Sequence, residues 1–101
     1  MDLVNAIAKV RFASAKPQRV QLHKGDSMLT DLLCMEPGQE TEGQAGQWTY
    51  YVVAGTAAIT GADGGGELPA GQLAAVPEGE RHSITNVGEQ RLICLVVGQR
   101  A

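Results

Sequence analysis

The chain has two histidines, His23 and His82, and two cysteines, Cys34 and Cys94, so chemistry that needs an imidazole or a thiolate rests on four residues. His82 is the most informative of them. It lies in AGQLAAVPEGERHSITNVG, where the spacing is Gly71-x5-Pro77-x-Gly79-x2-His82-x3-Asn86. Gly71 permits a tight entry to a strand, Pro77 and Gly79 shape a turn, His82 opens the next strand and Asn86 closes it. An imidazole so placed can donate, accept, ligate a metal or exchange a proton near neutral pH. His23, beside Lys24-Gly25-Asp26, reads as a surface turn residue. Cys34 and Cys94 stand in LLCME and LICLVV and read as small buried hydrophobes in a reducing cytoplasm, a disulfide or a thiolate ligand being the alternatives. The run Gly61 to Gly66 (GADGGG) could cradle a phosphate only if a helix followed. Glu67-Leu68-Pro69 starts none, so the run reads as a flexible hairpin tip.

The elements that must hold these residues are mostly strands. Helical spacing occurs at the start, where Leu3, Ile7 and Val10 recur at i, i+4, i+7 with Asp2 as N-cap; this predicts a helix over about 2–14, closed by Pro17. After Pro17, short runs rich in Val, Leu, Ile, Thr and Tyr alternate with Gly, Pro and Asp. Strands are expected over 20–23, 28–35, 48–53, 57–60, 72–76, 83–86 and 91–97. That many short strands in so short a chain indicates a sandwich, a jelly roll or a closed barrel. By strict alternation Tyr50 and Tyr51 fall on opposite faces of one strand, and Trp48 shares the face of Tyr50.

At 101 residues the chain suits one domain with one small core, which makes further burial in an oligomer favourable. Apolar residues make up 44% and charged residues 19%, a globular balance rather than a disordered one. The net charge of −3 and the lack of a basic cluster argue against nucleic-acid binding. No apolar run approaches the roughly 18 residues of a membrane span, and MDLVNAIAKV lacks the apolar core of a signal peptide. A cytoplasmic location is the expectation.

The segment around His82 resembles the second conserved motif of the cupin superfamily at every defining position. The likeness extends over about residues 19–97. It implies an all-β fold, a double-stranded β-helix (jelly-roll) barrel with a short N-terminal helix, as one domain over 1–101. It also implies that His82 occupies the position of one of four metal ligands. The first cupin motif departs from the pattern. Its flanks are present as Pro37-Gly38 and Tyr51-Val52-Val53-Ala54-Gly55, but its ligands are not. Counted back from Gly55, the two His positions hold Glu42 and Gln44 and the Glu position holds Trp48. Counted forward from Gly38 they hold Gln44, Gly46 and Tyr50, because the loop is two residues short. The count from Gly55 is preferred, since a hairpin is stiffer than a Gln/Gly-rich loop. With two histidines in the chain, a three-His/one-Glu centre cannot be assembled.

The altered site admits four readings. The first is a metal-free pocket for a small molecule, lined by Glu42, Gln44, Trp48, Tyr50 and His82, with no cofactor. The second is a remodelled divalent-metal enzyme, dioxygenase- or isomerase-like, holding Mn, Fe or Zn on His82, Glu42 and Gln44 with help from Glu40. The third is metal-free acid–base catalysis by His82 with Glu42 as partner. The fourth makes His82 a satisfied core residue. The first is the expectation, with the enzyme reading disfavoured because Trp48 puts a ring where a ligand belongs. Arg81 should point away from His82. Small cupins commonly dimerise, so a homodimer is expected, with no nucleic-acid or membrane partner.

Overall fold

The computed structural model describes residues 1–62 and 64–101. Among these, nine strands form two antiparallel sheets facing one another. In chain order they are β1 (Gln18–Lys24), β2 (Leu29–Met35), β3 (Glu40–Glu42), β4 (Gly46–Ala54), β5 (Thr56–Gly61), β6 (Gly64–Pro69), β7 (Leu73–Val76), β8 (His82–Asn86) and β9 (Leu92–Arg100). One sheet runs β1-β2-β9-β4-β7 and the other β3-β8-β5-β6. Apart from the β1–β2 and β5–β6 hairpins, successive strands cross between the sheets, giving a double-stranded β-helix barrel.

Period-2 patterning sets the faces. Leu29, Leu33 and Met35 of β2, Trp48, Tyr50 and Val52 of β4, and Leu92, Cys94 and Val96 of β9 meet Ile59, Val76 and Ile84 in one buried cluster. Tyr50 is fully buried while Tyr51 is 40% exposed, as alternation requires. Gly46 and Gly55 bound β4 with φ of +133° and +87°. Each approaches a neighbouring carbonyl, that of Gln99 and of Arg91 respectively, too closely for a Cβ to fit.

The N-terminal helix expected over 2–14 shrinks to one 3-10 turn, Ile7–Lys9. A helix of that length is marginal in water unless its apolar stripe is buried, and Leu3, Val4 and Ile7 remain exposed. Asp2, expected as its N-cap, instead faces His23 at 3.3 Å. The segment is tied along the outside of the barrel. Gln39 Nε2 donates to the Ala13 carbonyl at 2.7 Å, and the Arg91 guanidinium lies 4.5 Å from the Phe12 ring centroid. Leu32 and Cys34 are buried on the outer face of β2, outside the interior cluster.

Two strands lay outside the expected set. β3 is three residues long within a polar loop, and β6 begins in the glycine run read as a hairpin tip. Gly64, Gly65 and Gly66 pair with Gly61, Thr60 and Ile59, so the tip is shorter than expected; Asp63 falls outside the described residues. The two thiols are free and buried. Leu33 pairs with Cys94 and Cys34 with Ile93 across β2 and β9, which puts Cys94 inside the barrel and Cys34 on the opposite face. A disulfide between them is therefore out of reach.

Candidate functional site

His82 opens β8 at the barrel rim, paired with Gly61 on β5, while its carbonyl accepts the Gly43 N–H at 2.9 Å. Both ring nitrogens are engaged. Nδ1 lies 3.1 Å from the Glu80 carbonyl oxygen and Nε2 lies 2.8 Å from the Tyr50 hydroxyl. A carbonyl only accepts, so Nδ1 carries the hydrogen in the neutral ring, and Nε2 accepts from the Tyr50 O–H. The rings meet edge-on, 5.4 Å between centroids at 68°. Burial pushes the Tyr50 phenol above its ordinary range, with the Arg19 guanidinium opposing the shift, so it keeps the proton that it donates. Gly43 closes the remaining side: a Cβ there would overlap the His82 ring.

The five expected pocket residues separate into two sets. Glu42 (exposed), Gln44 (half-buried) and His82 (7% exposed) line one cleft of about 230 Å³, with Gly43, Gly79 and Arg81. Trp48 and Tyr50 sit in the core, 1% and 0% exposed. The Trp48 Nε1–H donates to the Gln44 carbonyl at 2.9 Å, and the Arg19 guanidinium covers the indole at 5.0 Å from its centroid. The Gln44 side-chain oxygen accepts from Arg100 Nε at 3.2 Å. Arg81 is exposed beside the buried His82 and, lying just before β8, borders the same cleft.

Two interior residues escaped the sequence reading. Arg19 of β1 and Asp31 of β2 pair at 2.8 Å (Nε to Oδ2), with side chains 20% and 5% exposed. Arg19 Nη2 and Asp31 Oδ1 are buried without partners, so the second arm of the guanidinium–carboxylate fork is unmade. Asp31 shares the inward face of Leu29 and Leu33, and a charge at an inward position of an apolar strand is the signal that could have exposed it. A second cleft was missed too. It occupies about 280 Å³ between β6 and β7 and reaches Glu80 and His82 from the other side.

The residues present do not fit the metal centre implied by the cupin resemblance. The His82 nitrogen that would face a metal is spent on Tyr50, Glu42 stands at the exposed end of β3, and among the described residues no three of His, Cys, Asp and Glu gather. The thiols offer no substitute, for burial raises Cys34 and pushes Cys94 up to about 12, away from the thiolate form. Among the described residues no helix is long and apolar enough to cross a membrane.

Comparison with known proteins agrees with this architecture. A protein of Thermus thermophilus superposes with a TM-score of 0.92 at 23% identity over all of both chains. An uncharacterized conserved protein with a double-stranded β-helix domain from Klebsiella pneumoniae gives 0.87 at 24% identity, covering 98% of this chain and 90% of its own. A cupin superfamily protein from Desulfitobacterium hafniense gives 0.80 at 21% identity, covering 100% and 92%. No curated protein sequence matches. Residues 31–98, which span β3 to β8, most of β2 and β9 and the whole His82 motif, match the Cupin domain family, and the chain belongs to the cupin superfamily.

Proposed function

We propose that this cupin-domain protein binds a small molecule directly on protein groups beside His82, in the cleft lined by Glu42, Gln44 and Arg81, without a three-His/one-Glu metal centre. The observation carrying this reading is the double lock on the imidazole, Tyr50 O–H to Nε2 at 2.8 Å and Nδ1–H to the Glu80 carbonyl at 3.1 Å. A ring held in one tautomer at the wall of a cleft is a preorganised recognition element, and its bound partners leave no lone pair for a metal. Trp48 and Tyr50 support the site from behind rather than touching the ligand. A cytoplasmic setting is part of the proposal, since two buried thiols on opposite faces of a sheet suit a reducing compartment.

A second reading, a metal-dependent isomerase using His82, Glu42 and Gln44, draws on one likeness. A protein of Acidithiobacillus ferrooxidans provisionally named a sugar phosphate isomerase is 30% identical over 82% of this chain and 60% of its own, with a TM-score of 0.65. Elemental mass spectrometry on untagged protein, followed by NMR fragment screening with and without EDTA, separates the two. Metal well below stoichiometry and EDTA-insensitive fragment shifts at Gln44–Gly46 and Gly79–His82 are expected. Near-stoichiometric Mn, Fe or Zn that disappears on substitution of Glu42 or His82 would overturn the metal-free reading.

A further inference from the structure

Glu80 is half-buried, and its carboxylate folds back over Gly61, the strand partner of His82; a Cβ on Gly61 would stand 3.4 Å from its Oε1. Among the described residues that carboxylate has no cationic partner, the ion pairs being Arg19–Asp31, His23–Asp2 and Arg91–Glu36. Partial burial of an unpaired carboxylate is costly unless something positive shares the site. Glu80 also borders both clefts. On one side lies the polar cleft with Gln44 and Arg81. On the other lies the seam between β6 and β7, the terminal strands of their sheets, with Ile59, Leu68, Ala74 and Val76 as apolar floor and Gly64–Gly66 as a wall of bare backbone. At about 280 Å³ the seam lies close to the roughly 300 Å³ at which ligand pockets begin.

Building on the metal-free reading above, we infer that the ligand is a small amine with an apolar body, its ammonium on the Glu80 carboxylate and its carbon chain in the β6–β7 seam. The charge sets the class. At the junction, a neutral alcohol would gain an ordinary hydrogen bond and a carboxylic acid would meet like charge, whereas an ammonium gains a charge-assisted bond where water is partly excluded. The floor sets the body, since apolar carbon laid on Ile59, Leu68, Ala74 and Val76 is removed from water. The polar cleft is left for any hydroxyl or amide at the other end, facing Gln44.

The test is a backbone-amide NMR titration of the full chain with n-butylamine, n-butanol and n-butyrate at neutral pH. The amine should bind about tenfold more tightly than the other two and shift signals at Gly64–Gly66, Ala74–Val76 and Glu80–His82 together. Glu80→Gln should erase that preference without unfolding the protein, because His82 is held by the Glu80 carbonyl and not by its carboxylate; Glu78→Gln, outside both clefts, should preserve it. Equal binding of all three probes, an unchanged preference in Glu80→Gln, or shifts that leave the seam untouched would overturn the amine assignment. Fragments of other charge that move Gln44–Gly46 would then leave the metal-free reading standing, while silence of a broad fragment set at both clefts would sink both.

Discussion

Tyr50→Phe is the substitution that asks most directly what His82 does. It removes the hydroxyl hydrogen from Nε2 and leaves a buried acceptor unpartnered, so unfolding in urea should show a loss of about 1–3 kcal/mol. ¹⁵N NMR of His82 should show the tautomer becoming mixed; retention of one tautomer would mean that the Glu80 carbonyl alone sets it. His82→Ala should likewise destabilise, since it strands the Tyr50 hydroxyl in the core, so a lost ligand signal in that variant has to be read beside its unfolding curve. The buried Tyr50 and Cys94 also bend the alkaline limb of stability. Both hold their protons more tightly folded than unfolded. Stability is thus complete below the ordinary thiol value of 9.0 and falls as pH climbs from there toward about 12, where the folded Cys94 ionises. Urea unfolding between pH 8 and 11 should show this fall, and Cys94→Val should flatten its onset; an unchanged slope would exclude Cys94 as its source.

At the scale of elements, β1 is fastened to β2 by the Arg19–Asp31 pair as well as by the ladder. Asp31→Ala leaves a largely buried guanidinium unpaired and should cost about 3–5 kcal/mol, while replacing both residues with Met and Leu should return most of that loss. A double-mutant cycle by chemical denaturation measures the coupling, and additive losses would show that the pair acts independently of its partner. The strands that alternation and turn residues foretold are those with a buried apolar face, such as Trp48–Val53 and Arg91–Val97. β3 and β6 were illegible for the opposite reason: Glu40–Glu42 and Gly64–Gly66 bury almost nothing and owe their strand form to pairing with β8 and β5. The N-terminal segment failed differently. Its helical period was real in sequence, but no surface of the barrel covers Leu3 or Ile7, and helix formation follows burial more than propensity. In the candidate site, the motif spacing put His82 at the opening of a strand, where β8 begins, whereas Tyr50 was read as pocket lining and is a core residue, because alternation fixes the face of a side chain and not its depth.

For the whole molecule, the unburied apolar surface is the remaining imbalance. Leu3 and Ile7, together with Tyr51, Val53 and Leu73 of the five-stranded sheet, are 39–89% exposed, and alternation puts Tyr51, Val53 and Leu73 on that sheet's outer face beside Leu95. A charge-free face of this kind is the composition of an interface core. A homodimer built on it is therefore proposed, with sedimentation velocity at micromolar concentration expected to report a dimer and Leu73→Glu expected to shift it toward monomer. A stable monomer of the unaltered chain would overturn it.

The absent side chain at Gly43 also bears on any attempt to engineer this barrel. Importing histidines at positions 42 and 44 would supply imidazoles but not a vacancy, because the backbone of Gly43 rests on the very ring that must turn toward a metal and the Tyr50 hydroxyl already holds its nitrogen. A route from this protein to a metalloenzyme, or back along the same road, passes through at least three coupled changes: new ligands, a released Tyr50 and a lengthened loop that lifts position 43 away.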